Sequence, residues 1–461
     1  MFKRLLIANR GEPAVRVLRT CRELGIETVA VYSEIDAGTL AVRLADHAVC
    51  IGPAPAADSY LNVPRILSAA EITDSEAIHP GYGFLAENAE FAEAVEMVKL
   101  AFVGPDSATI RLLSDRLQTR AEARELGIPV LPGSENEIAT AADARQLAEQ
   151  IGYPIVFKTA RKSRKFWVVR KDKDLETALR MAQGEAKALL NDSRVYLERY
   201  LETARHIEVQ FLADGTSVTA FPERESSIQH RQEKIMCEAP SPLITDENRA
   251  RLAEWTTKFA KAVGYRNAGT LEFLADERGD LFLLNVQASL QREHAVTEVL
   301  LGCDLVAEQI RISAGESAAG SQSALHGSQF ATRSPQCPLP YVIQCKISAE
   351  DPGKDWMPTA GIVRLLRLPG GPGVRTDSHV YSGYEGSAEY DTLLARVTVW
   401  DSDREKAIAR MERALRETAI EGVQTTLEFQ QKILRLGAFR KGELSTTMVE
   451  REILGIRSSE Q

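Results

Sequence analysis

The chain has 461 residues, of which 44% are hydrophobic and 26% are charged, and its formal net charge is -9. This length suffices for two or three domains, each with its own hydrophobic core. The negative charge excludes a general nucleic-acid binder, because such a protein needs a basic face that displaces counterions from phosphates. Apolar runs are too short for a signal-peptide core or a membrane span, so no membrane association is expected.

The cysteines lie far apart in the sequence and show no CxxC spacing. Neither a zinc site nor a disulfide framework is therefore expected. A reducing, cytoplasmic location is the prediction that follows. The cysteines are Cys21, Cys50, Cys237, Cys303, Cys337 and Cys345.

Short apolar runs alternate with helical patterns in the first third of the chain. RLLIAN predicts a strand, PAVRVLRTCRELG predicts a helix that ends at a glycine, and ETVAVYS predicts the next strand. This βαβ order indicates a doubly wound parallel sheet with helices on both faces. AIHPGYGFLAEN adds a strand that runs into a Gly-Pro-rich loop, a common place for a ligand crevice.

The middle of the chain is rich in predicted strands: YPIVFKTA, VYLERYL, RHIEVQFLAD and SVTAFPERESS. A hairpin follows, in which GTLEFLAD and LFLLNVQ flank a turn centred on Arg278 and Gly279. Pairing about this centre places Glu272 directly opposite Asn285. Residues 319–336 are rich in Ser, Ala and Gly and predict a linker, and an α+β pattern follows them.

Strings along essentially the whole chain together resemble the biotin carboxylase family of ATP-grasp ligases. They are IANRGE, HPGYGFLAEN, FVGP, GYPIVFK, RHIEVQ, EAPSP, NAGTLEFL, EHAVTE, GCDLV, ISAEDP and PGGPGVRTDSHVYSGY. The resemblance implies an α/β protein with three domains. These are an N-terminal doubly wound (pre-ATP-grasp) domain at 1–115, a central ATP-grasp domain at 116–330 with a lid over about 133–200, and a C-terminal α+β biotin carboxylase domain at 331–461.

The resemblance also implies an activity and partners. Members of this family use ATP and Mg²⁺ to phosphorylate bicarbonate, and the carboxyl group then passes to biotin on a carrier. This chain has no Met-Lys-Met attachment motif, so biotin would be carried by a separate protein. The implied partners are a biotin carboxyl carrier protein, carboxyltransferase subunits or an active biotin carboxylase paralogue. Together they would form a homo- or hetero-oligomeric acetyl-CoA or other acyl-CoA carboxylase of the kind used in fatty acid biosynthesis.

A nucleotide pocket is the first site that the resemblance implies. Arg116 and Arg199 replace family lysines and keep the charge, whereas Gln232 replaces a histidine. Taken jointly, the matching positions predict that the pocket is retained. The residues assigned to it are Arg116, Lys158, Glu198, Arg199, Leu201, His206, Gln229 and Ile420.

The lid loop departs from the family. Where the family has glycines whose amides wrap the triphosphate, this chain reads TARKSRKFW, and its side chains block such an approach. Two interpretations stay open for the cations Arg161, Lys162, Arg164 and Lys165. They either hold phosphate as point charges or form a solvated basic turn, and the second interpretation is favoured.

Residues 281–298, LFLLNVQASLQREHAVTE, carry the other departures. Asn285 stands where the family has a metal-binding glutamate, Gln287 replaces an asparagine, and Ser289 replaces the arginine beside the reacting biotin. Glu272 and Asn285 are thus the predicted metal pair, with weakened affinity because an amide brings no charge to magnesium. Alternatively, Glu272 simply hydrogen-bonds Asn285.

The carboxyl-transfer site is mixed. Glu293 matches the base for bicarbonate, and Lys234 matches a lysine that neutralises bicarbonate or phosphate. Lys346 keeps the charge of a family arginine but not its forked geometry, and the newly introduced Arg292 is expected to direct a guanidinium into the bicarbonate pocket. Ser289 offers one donor and no charge where a cation would stabilise an enolate.

Three functions stay open, in the following order. The first is a biotin carboxylase-like pseudoenzyme that has lost most or all catalysis and acts as a structural or regulatory subunit. The second is a working biotin carboxylase, an ATP-dependent ligase, with a rearranged site. That site would use Lys158, Lys234, Glu272 and Glu293, with Arg292 in place of the lost arginine. The third is an ATP-grasp ligase that acts on a different acid.

Overall fold

The computed structural model of the chain describes residues 1–83, 85–163, 165–317, 339–387 and 389–455. The predicted linker at 319–336 lies outside these ranges, as do Arg164 of the lid loop and Cys337. The other five cysteines are free thiols. Among the helices of the described ranges, none is both long and apolar enough to cross a membrane.

The N-terminal part begins with ten regular elements. They are β1 (Arg4–Ile7), α1 (Gly11–Glu23), β2 (Glu27–Ser33), α2 (Leu40–Leu44), β3 (His47–Gly52), α3 (Val63–Ile72), β4 (Ala77–His79), α4 (Ala89–Met97), β5 (Ala101–Phe102) and α5 (Ser107–Ser114). The strands form a parallel sheet of order β3-β2-β1-β4-β5. Leu5 and Ile7 of β1 pack into a core with α1, and Leu6 packs into another core with α3 and α4. Helices therefore cover both faces, which confirms the doubly wound sheet.

The lid follows as a small layer of its own. Its region contains α6 (Arg116–Glu125), α7 (Ala141–Ile151), β6 (Ile155–Thr159), β7 (Phe166–Val169), α8 (Asp172–Leu190) and β8 (Val195–Arg199). The strands pair antiparallel in the order β7-β6-β8. Ile155 and Phe157 of β6 pack against Leu175 and Leu179 of α8, which gives the lid its own hydrophobic core.

Of the remaining strands in the described ranges, six form three two-stranded sheets and nine build a large antiparallel sheet. Its region holds β9 (Arg205–Asp214), β10 (Val218–Ala220), β11 (Arg224–His230), β12 (Glu233–Ala239), α9 (Asp246–Ala262), β13 (Arg266–Ala275), β14 (Leu281–Gln287), α10 (His294–Leu301), α11 (Leu305–Ser313) and β15 (Tyr341–Ser348). After these come β16 (Glu350–Asp351), β17 (Met357–Pro358), β18 (Gly361–Val363), β19 (Leu365–Arg367), β20 (Val374–Asp377), β21 (Tyr384–Gly386), β22 (Leu393–Asp401), α12 (Arg404–Glu417), β23 (Ala419–Glu421), α13 (Leu427–Arg435), α14 (Gly437–Lys441) and α15 (Met448–Glu452).

This sheet has the order β14-β13-β9-β11-β12-β15-β22-β20, and β10 pairs with β9 beside it. Because β12 pairs with β15, the sheet runs from the central region into the C-terminal region. The sheet thus crosses the predicted boundary at 330, and the domain limits stay predictions.

One predicted strand was wrong in its extent. SVTAFPERESS folds as two strands, β10 and β11, which are separated by residues 221–223. Pro222 lies at this break. Proline has no backbone N–H to donate to a sheet, so it interrupts the pairing.

The β13–β14 hairpin has the predicted partners but a different turn. Ala275 pairs with Leu281, and the turn between the strands is one residue longer than predicted. The resulting one-residue shift is reversed by a bulge at Leu284, so Glu272 faces Asn285 after all. A bulge inserts one extra residue into one strand and so resets the register.

Candidate active site

A cavity of about 1100 Å³ lies where the lid, the large sheet and α15 meet. It is lined by seven of the eight predicted nucleotide residues, by all four predicted transfer residues and by both predicted metal residues. A neighbouring cavity of about 590 Å³ shares Lys234, Arg292 and Lys346 and extends toward the N-terminal sheet. The fold therefore brings the sequence candidates together in one place.

Ile420 is the exception. It lies in β23, where it pairs with Leu366 of β19 and packs with Val363 and Tyr384 in a hydrophobic cluster. The structure does not bring it to the cavity, because its side chain serves the C-terminal core. The C-terminal residues that line the cavity include, from α15 and its flanking segments, Thr446, Thr447, Glu450 and Leu454.

A cluster of charges occupies the lid end of the cavity. Lys158 ends β6, and its Nζ lies 2.5 Å from Oε1 of Glu198, while Arg120 pairs with the other oxygen. Burial would raise the pKa of Glu198, but Lys158 and Arg120 outweigh burial and lower it. Two cations thus face one ionised carboxylate, which leaves a net positive charge for a phosphate group.

Arg116 lines the cavity and also contacts the lid loop. Its guanidinium donates to the backbone oxygens of Ser163, at 2.9 Å, and Thr159, at 3.4 Å. It therefore ties the start of α6 to the loop between β6 and β7. This tie holds the lid loop beside the cavity.

His206 presents an unused ring nitrogen to the cavity. Its Nδ1 lies 2.7 Å from Nε2 of Gln229, which fixes the ring. Its Nε2 is buried and makes no hydrogen bond within the described ranges, although it lies 3.8 Å from Oε1 of Glu272 and 3.9 Å from Oε1 of Glu208. Buried polar atoms almost always have a partner, so this nitrogen suits a bound ligand.

Lys234, on β12, lies inside a cage of carboxylates. It pairs with Glu208, and its Nζ lies 3.5 Å from Oε1 of Glu272 and 3.5 Å from Oε2 of Glu293. Burial would lower the pKa of Lys234, but these three carboxylates outweigh burial and raise it. Despite their own burial, all three carboxylates have a lowered pKa because Lys234 is near. The cage is thus fully ionised at neutral pH.

The replaced positions share one face at β14. Nδ2 of Asn285 donates to Oε2 of Glu272 at 3.2 Å, and Oγ of Ser289 donates to Oε1 of Glu87 at 2.7 Å. Gln287 joins these pairs. With the amide oriented so that both of its ends find a partner, its nitrogen lies 2.6 and 2.9 Å from the oxygens of Glu87, and its oxygen accepts from Nδ2 of Asn285 at 3.0 Å.

These hydrogen bonds test whether a magnesium ion fits. Asn285 is fixed with its N–H groups toward Glu272 and Gln287, so it offers Glu272 a donor and no lone pair. Magnesium requires oxygen ligands, usually carboxylates, in an octahedral arrangement. The predicted pair Glu272 and Asn285 is therefore present as a hydrogen bond and does not fit a divalent ion.

The lid loop supplies a cation to this same face. Nζ of Lys162 lies 2.9 Å from Oε2 of Glu87 and 2.7 Å from the backbone oxygen of Val286. Its side chain is only 22% exposed, whereas those of Arg161 and Lys165 are 55% and 63% exposed. The expected solvated turn holds for Arg161 and Lys165 and is wrong for Lys162.

Arg292 and Lys346 approach the cavity from the C-terminal side. Arg292 lies 2.9 Å from Oδ2 of Asp391, and Lys346 lies 3.6 Å from Oε2 of Glu233. Burial would raise the pKa of Asp391, but Arg292 and Lys346 outweigh it and lower the pKa. The guanidinium of Arg292 therefore reaches the cavity, as expected, but is already paired with a carboxylate.

Several residues of this site escaped the sequence reasoning, among them Glu208 and Glu87. Glu208 follows His206 by two positions, and alternation along a strand puts both on one face. That signal was available within RHIEVQ. Glu87 lies in the string HPGYGFLAEN, but its partners Lys162 and Ser289 are distant in sequence, so no local pattern indicated them.

Sequence models of three families match successive parts of the chain. They are the biotin carboxylase N-terminal domain over residues 1–110, the ATP binding domain of the carbamoyl-phosphate synthase L chain over 115–319, and the biotin carboxylase C-terminal domain over 344–451. The matches follow one another in the order that the resemblance implies.

Individual relatives match over nearly the full length. The biotin carboxylase of Allochromatium vinosum is 45% identical over 461 residues, which cover 99% of each chain. The biotin carboxylase domain of the Hydrogenobacter thermophilus 2-oxoglutarate carboxylase was solved as a dimer with MgADP, ADP and bicarbonate. It is 38% identical, with a TM-score of 0.90 over 98% of each chain.

A further structure is the biotin carboxylase domain of a thermophilic 2-oxoglutarate carboxylase, which holds ADP without magnesium and with a disordered phosphate tail. It is 39% identical, with a TM-score of 0.82 over 98% of each chain. Sequence and fold agree across these matches. The chain belongs to the biotin carboxylase family.

Proposed function

We propose that this chain is a catalytically impaired biotin carboxylase-like subunit that binds a nucleotide and serves a biotin-dependent acyl-CoA carboxylase as a structural or regulatory component. The observation that carries the proposal is the face at β14. Asn285, Gln287 and Ser289 offer neither a carboxylate nor a cation there, and their side chains are bonded to Glu272 and Glu87.

Nucleotide binding is supported by the groups that remain. Lys158 and Arg120 around Glu198 leave a positive charge at the lid end, and His206 keeps an unused nitrogen in the cavity. Solved relatives bind ADP. ATP or ADP is therefore the ligand we assign to the cavity, and the biotin that the family carboxylates would arrive on a separate carrier protein.

Catalytic impairment is supported by the scarcity of free cations that could stabilise negative charge in the transition state. Carboxyl transfer develops negative charge on bicarbonate oxygens and on the biotin ring, and fixed cations lower that barrier. Ser289 brings a neutral hydroxyl that is already bonded to Glu87. Lys234 is shared by three carboxylates, so little of its charge is left for a substrate.

Magnesium, which a relative binds together with ADP, would supply charge neutralisation at the phosphates when bound. The predicted pair does not fit it, because Asn285 donates a hydrogen bond to Glu272. His206, Glu208 and Glu272 have ligand atoms within 4.8 Å of one another, but the ammonium group of Lys234 already lies against both carboxylates. We therefore assign no step of a reaction to a metal ion. What remains is a nucleotide-binding cavity beside a carboxylate cage.

A second candidate is an active enzyme with a rearranged site. It is favoured by Glu293, whose lowered pKa keeps it an ionised base, and by Lys234 and Gln291 beside it. Arg292 reaches the same cavity. In this candidate mechanism, Glu293 accepts the proton of bicarbonate. Arg292 stabilises the transferred group after its ion pair with Asp391 has opened.

The partners we propose are a biotin carboxyl carrier protein, carboxyltransferase subunits or an active biotin carboxylase paralogue. A dimer of a related domain has been solved, and a homo- or hetero-oligomer is the assembly we propose. The cytoplasmic location and a role in fatty acid biosynthesis stay predictions.

Co-purification from the native host, followed by mass spectrometry over a range of salt, tests the complex role. Recovery of a carrier, transferase or paralogue with the chain would support it. Recovery of the chain alone at every salt concentration would contradict it and favour a free-standing ligase.

A further inference from the structure

We propose that Lys162 is a tethered counterion that lets this chain bind the phosphates of a nucleotide without a divalent cation. The ligand class is a nucleoside diphosphate or triphosphate. The inference rests on the proposed nucleotide binding and concerns only how charge is balanced at the phosphates.

The first argument is position. Lys162 lies in the lid loop, and its Nζ contacts Glu87 and the backbone oxygen of Val286, between the two amide positions of β14. Glu87, Asn285 and Gln287 all line the cavity. The ammonium group is thus held on the same face as the pair Glu272 and Asn285, where a metal ion would have to bind.

The second argument is charge. Lys162 cancels the charge of Glu87, and the amide at Asn285 adds none, so Glu272 is the carboxylate that is left on this face. Lys234 already lies 3.5 Å from Glu272. Lys234 is shared with Glu208 and Glu293, so it cancels only part of the charge of Glu272. Lys162 still leaves this face less negative than carboxylates at both cross-strand positions would make it, which reduces the need for a divalent cation.

The third argument is reach. The charge of Lys162 contributes to the lowered pKa of Glu272, after the larger effects of burial, Lys234, His206 and Asn285. Its field is thus felt at the cavity-lining carboxylate. A lysine is a common phosphate-binding cation that acts as a point charge, so it can replace part of the neutralisation that an ion supplies.

The test is a calorimetric titration with ADP, once in EDTA and once in Mg²⁺. Wild-type protein should bind ADP in EDTA within about threefold of its affinity in Mg²⁺. The variant Lys162→Met should bind at least about tenfold more weakly in EDTA, as expected for the loss of one charge-assisted contribution. The matched control is Lys187→Met, an exposed lysine of the lid helix α8 that does not line the cavity; its affinity should change less than about twofold.

Lys162 also connects the lid to Glu87, so loss of that contact has to be separated from loss of charge. Glu87→Gln weakens the contact and keeps the ammonium group. It should bind ADP in EDTA at least as tightly as wild type. Equal losses in Lys162→Met and Glu87→Gln would show that the contact matters and the charge does not, which overturns the proposal.

Two other results would overturn it. One is wild-type binding that weakens about tenfold or more when Mg²⁺ is removed, and the other is no ADP binding under either condition. A different result would refute the proposed impairment but not the role of Lys162. It is bicarbonate-dependent ATP cleavage at the rate of an active relative, together with an ADP affinity that is independent of Mg²⁺.

Discussion

Two walls of the same cavity treat charge in opposite ways. On the wall formed by β9, β12, β13 and the N-terminal end of α10, Glu208, Glu272 and Glu293 surround the cation Lys234. On the wall at β14, the replaced positions are two amides and a hydroxyl, and the neighbouring cation comes from the lid. On the first wall the neutralising cation, Lys234, comes from the sheet. On the second wall the neutralising cation, Lys162, comes from the lid.

The difference follows from the place of each wall in the fold. The strands β9 and β12 lie inside the large sheet, where removal of one partner leaves an uncompensated buried charge. In the described part of the chain, β14 is an edge strand of that sheet. Neutral side chains there bond one another, Glu272 and Glu87, so these positions add no charge to the face.

The largest expected effect is on turnover. Bicarbonate-dependent ATP cleavage with free biotin should be at least about 100-fold below that of an active relative, because loss of one group that stabilises transition-state charge typically costs about 10² to 10³ in rate. Phosphate release measures it. Robust turnover that Lys234→Ala abolishes would instead favour the rearranged active site.

The cage should respond strongly to loss of its cation. We expect Lys234→Met to lower the free energy of unfolding at pH 7 by about 3–5 kcal/mol, since three carboxylates would stay buried without Lys234. Urea denaturation at pH 7 and pH 5 measures this loss. Replacement of Lys187, which is exposed on α8, provides the control.

Wild type and Lys234→Met should differ in the direction in which their stability changes with pH. In wild type the cage carboxylates have lowered pKa values, so their stabilisation is lost as the pH falls below about 4.3, the unfolded glutamate value. In the variant, burial without Lys234 raises these pKa values, and stability falls as the pH rises. The difference in the free energy of unfolding between wild type and Lys234→Met should therefore be smaller at pH 5 than at pH 7. An equal difference at both pH values would contradict the proposed stabilisation of the three carboxylates by Lys234.

A single substitution at β14 should restore metal binding more readily than carboxylation. Asn285→Glu places a second carboxylate opposite Glu272 and should raise ADP affinity in Mg²⁺ by about tenfold, with no gain in EDTA. Calorimetry against Asn285→Gln, which keeps the amide, measures the effect. Carboxylation should not return, and a destabilised fold without metal binding would show that the two positions are not a metal pair.

The smallest effect is expected at Arg292. Its side chain and that of Asp391 are 33% and 34% exposed, so the pair is partly screened by solvent. Arg292→Ala should reduce the free energy of unfolding by no more than about 1 kcal/mol. Thermal unfolding measures this, and a loss of turnover in an otherwise active protein would mark Arg292 as the substitute cation of the second candidate.

The hairpin shows how far pattern reasoning reached. The pair of Glu272 and Asn285 was predicted from a two-residue turn, and the pair is present. The longer turn and the bulge at Leu284 were not predicted, because LFLLNVQ is apolar at several adjacent positions and does not show which residue is extra. The site candidates came from the resemblance to the family, and the fold brings all of them except Ile420 to one cavity.

Ile420 and Lys162 mark where that reasoning ends. The isoleucine was assigned to the nucleotide, but β23 turns it into the C-terminal core. The lysine was expected to be solvated, but the lid brings it to Glu87. Both outcomes depend on how separate elements pack, which neither a local string nor a hydrophobic period records.

The sequence by itself determined the family, the parallel N-terminal sheet and the identity of the replaced side chains, because motifs and hydrophobic periods are properties of neighbouring residues. Only the tertiary structure decided which charges neutralise one another. Lys162 and Glu87 are 75 positions apart, and Lys234 is 59 positions from Glu293. Coulomb energy depends on distance in space and on burial, and both are set by packing after the local elements have formed.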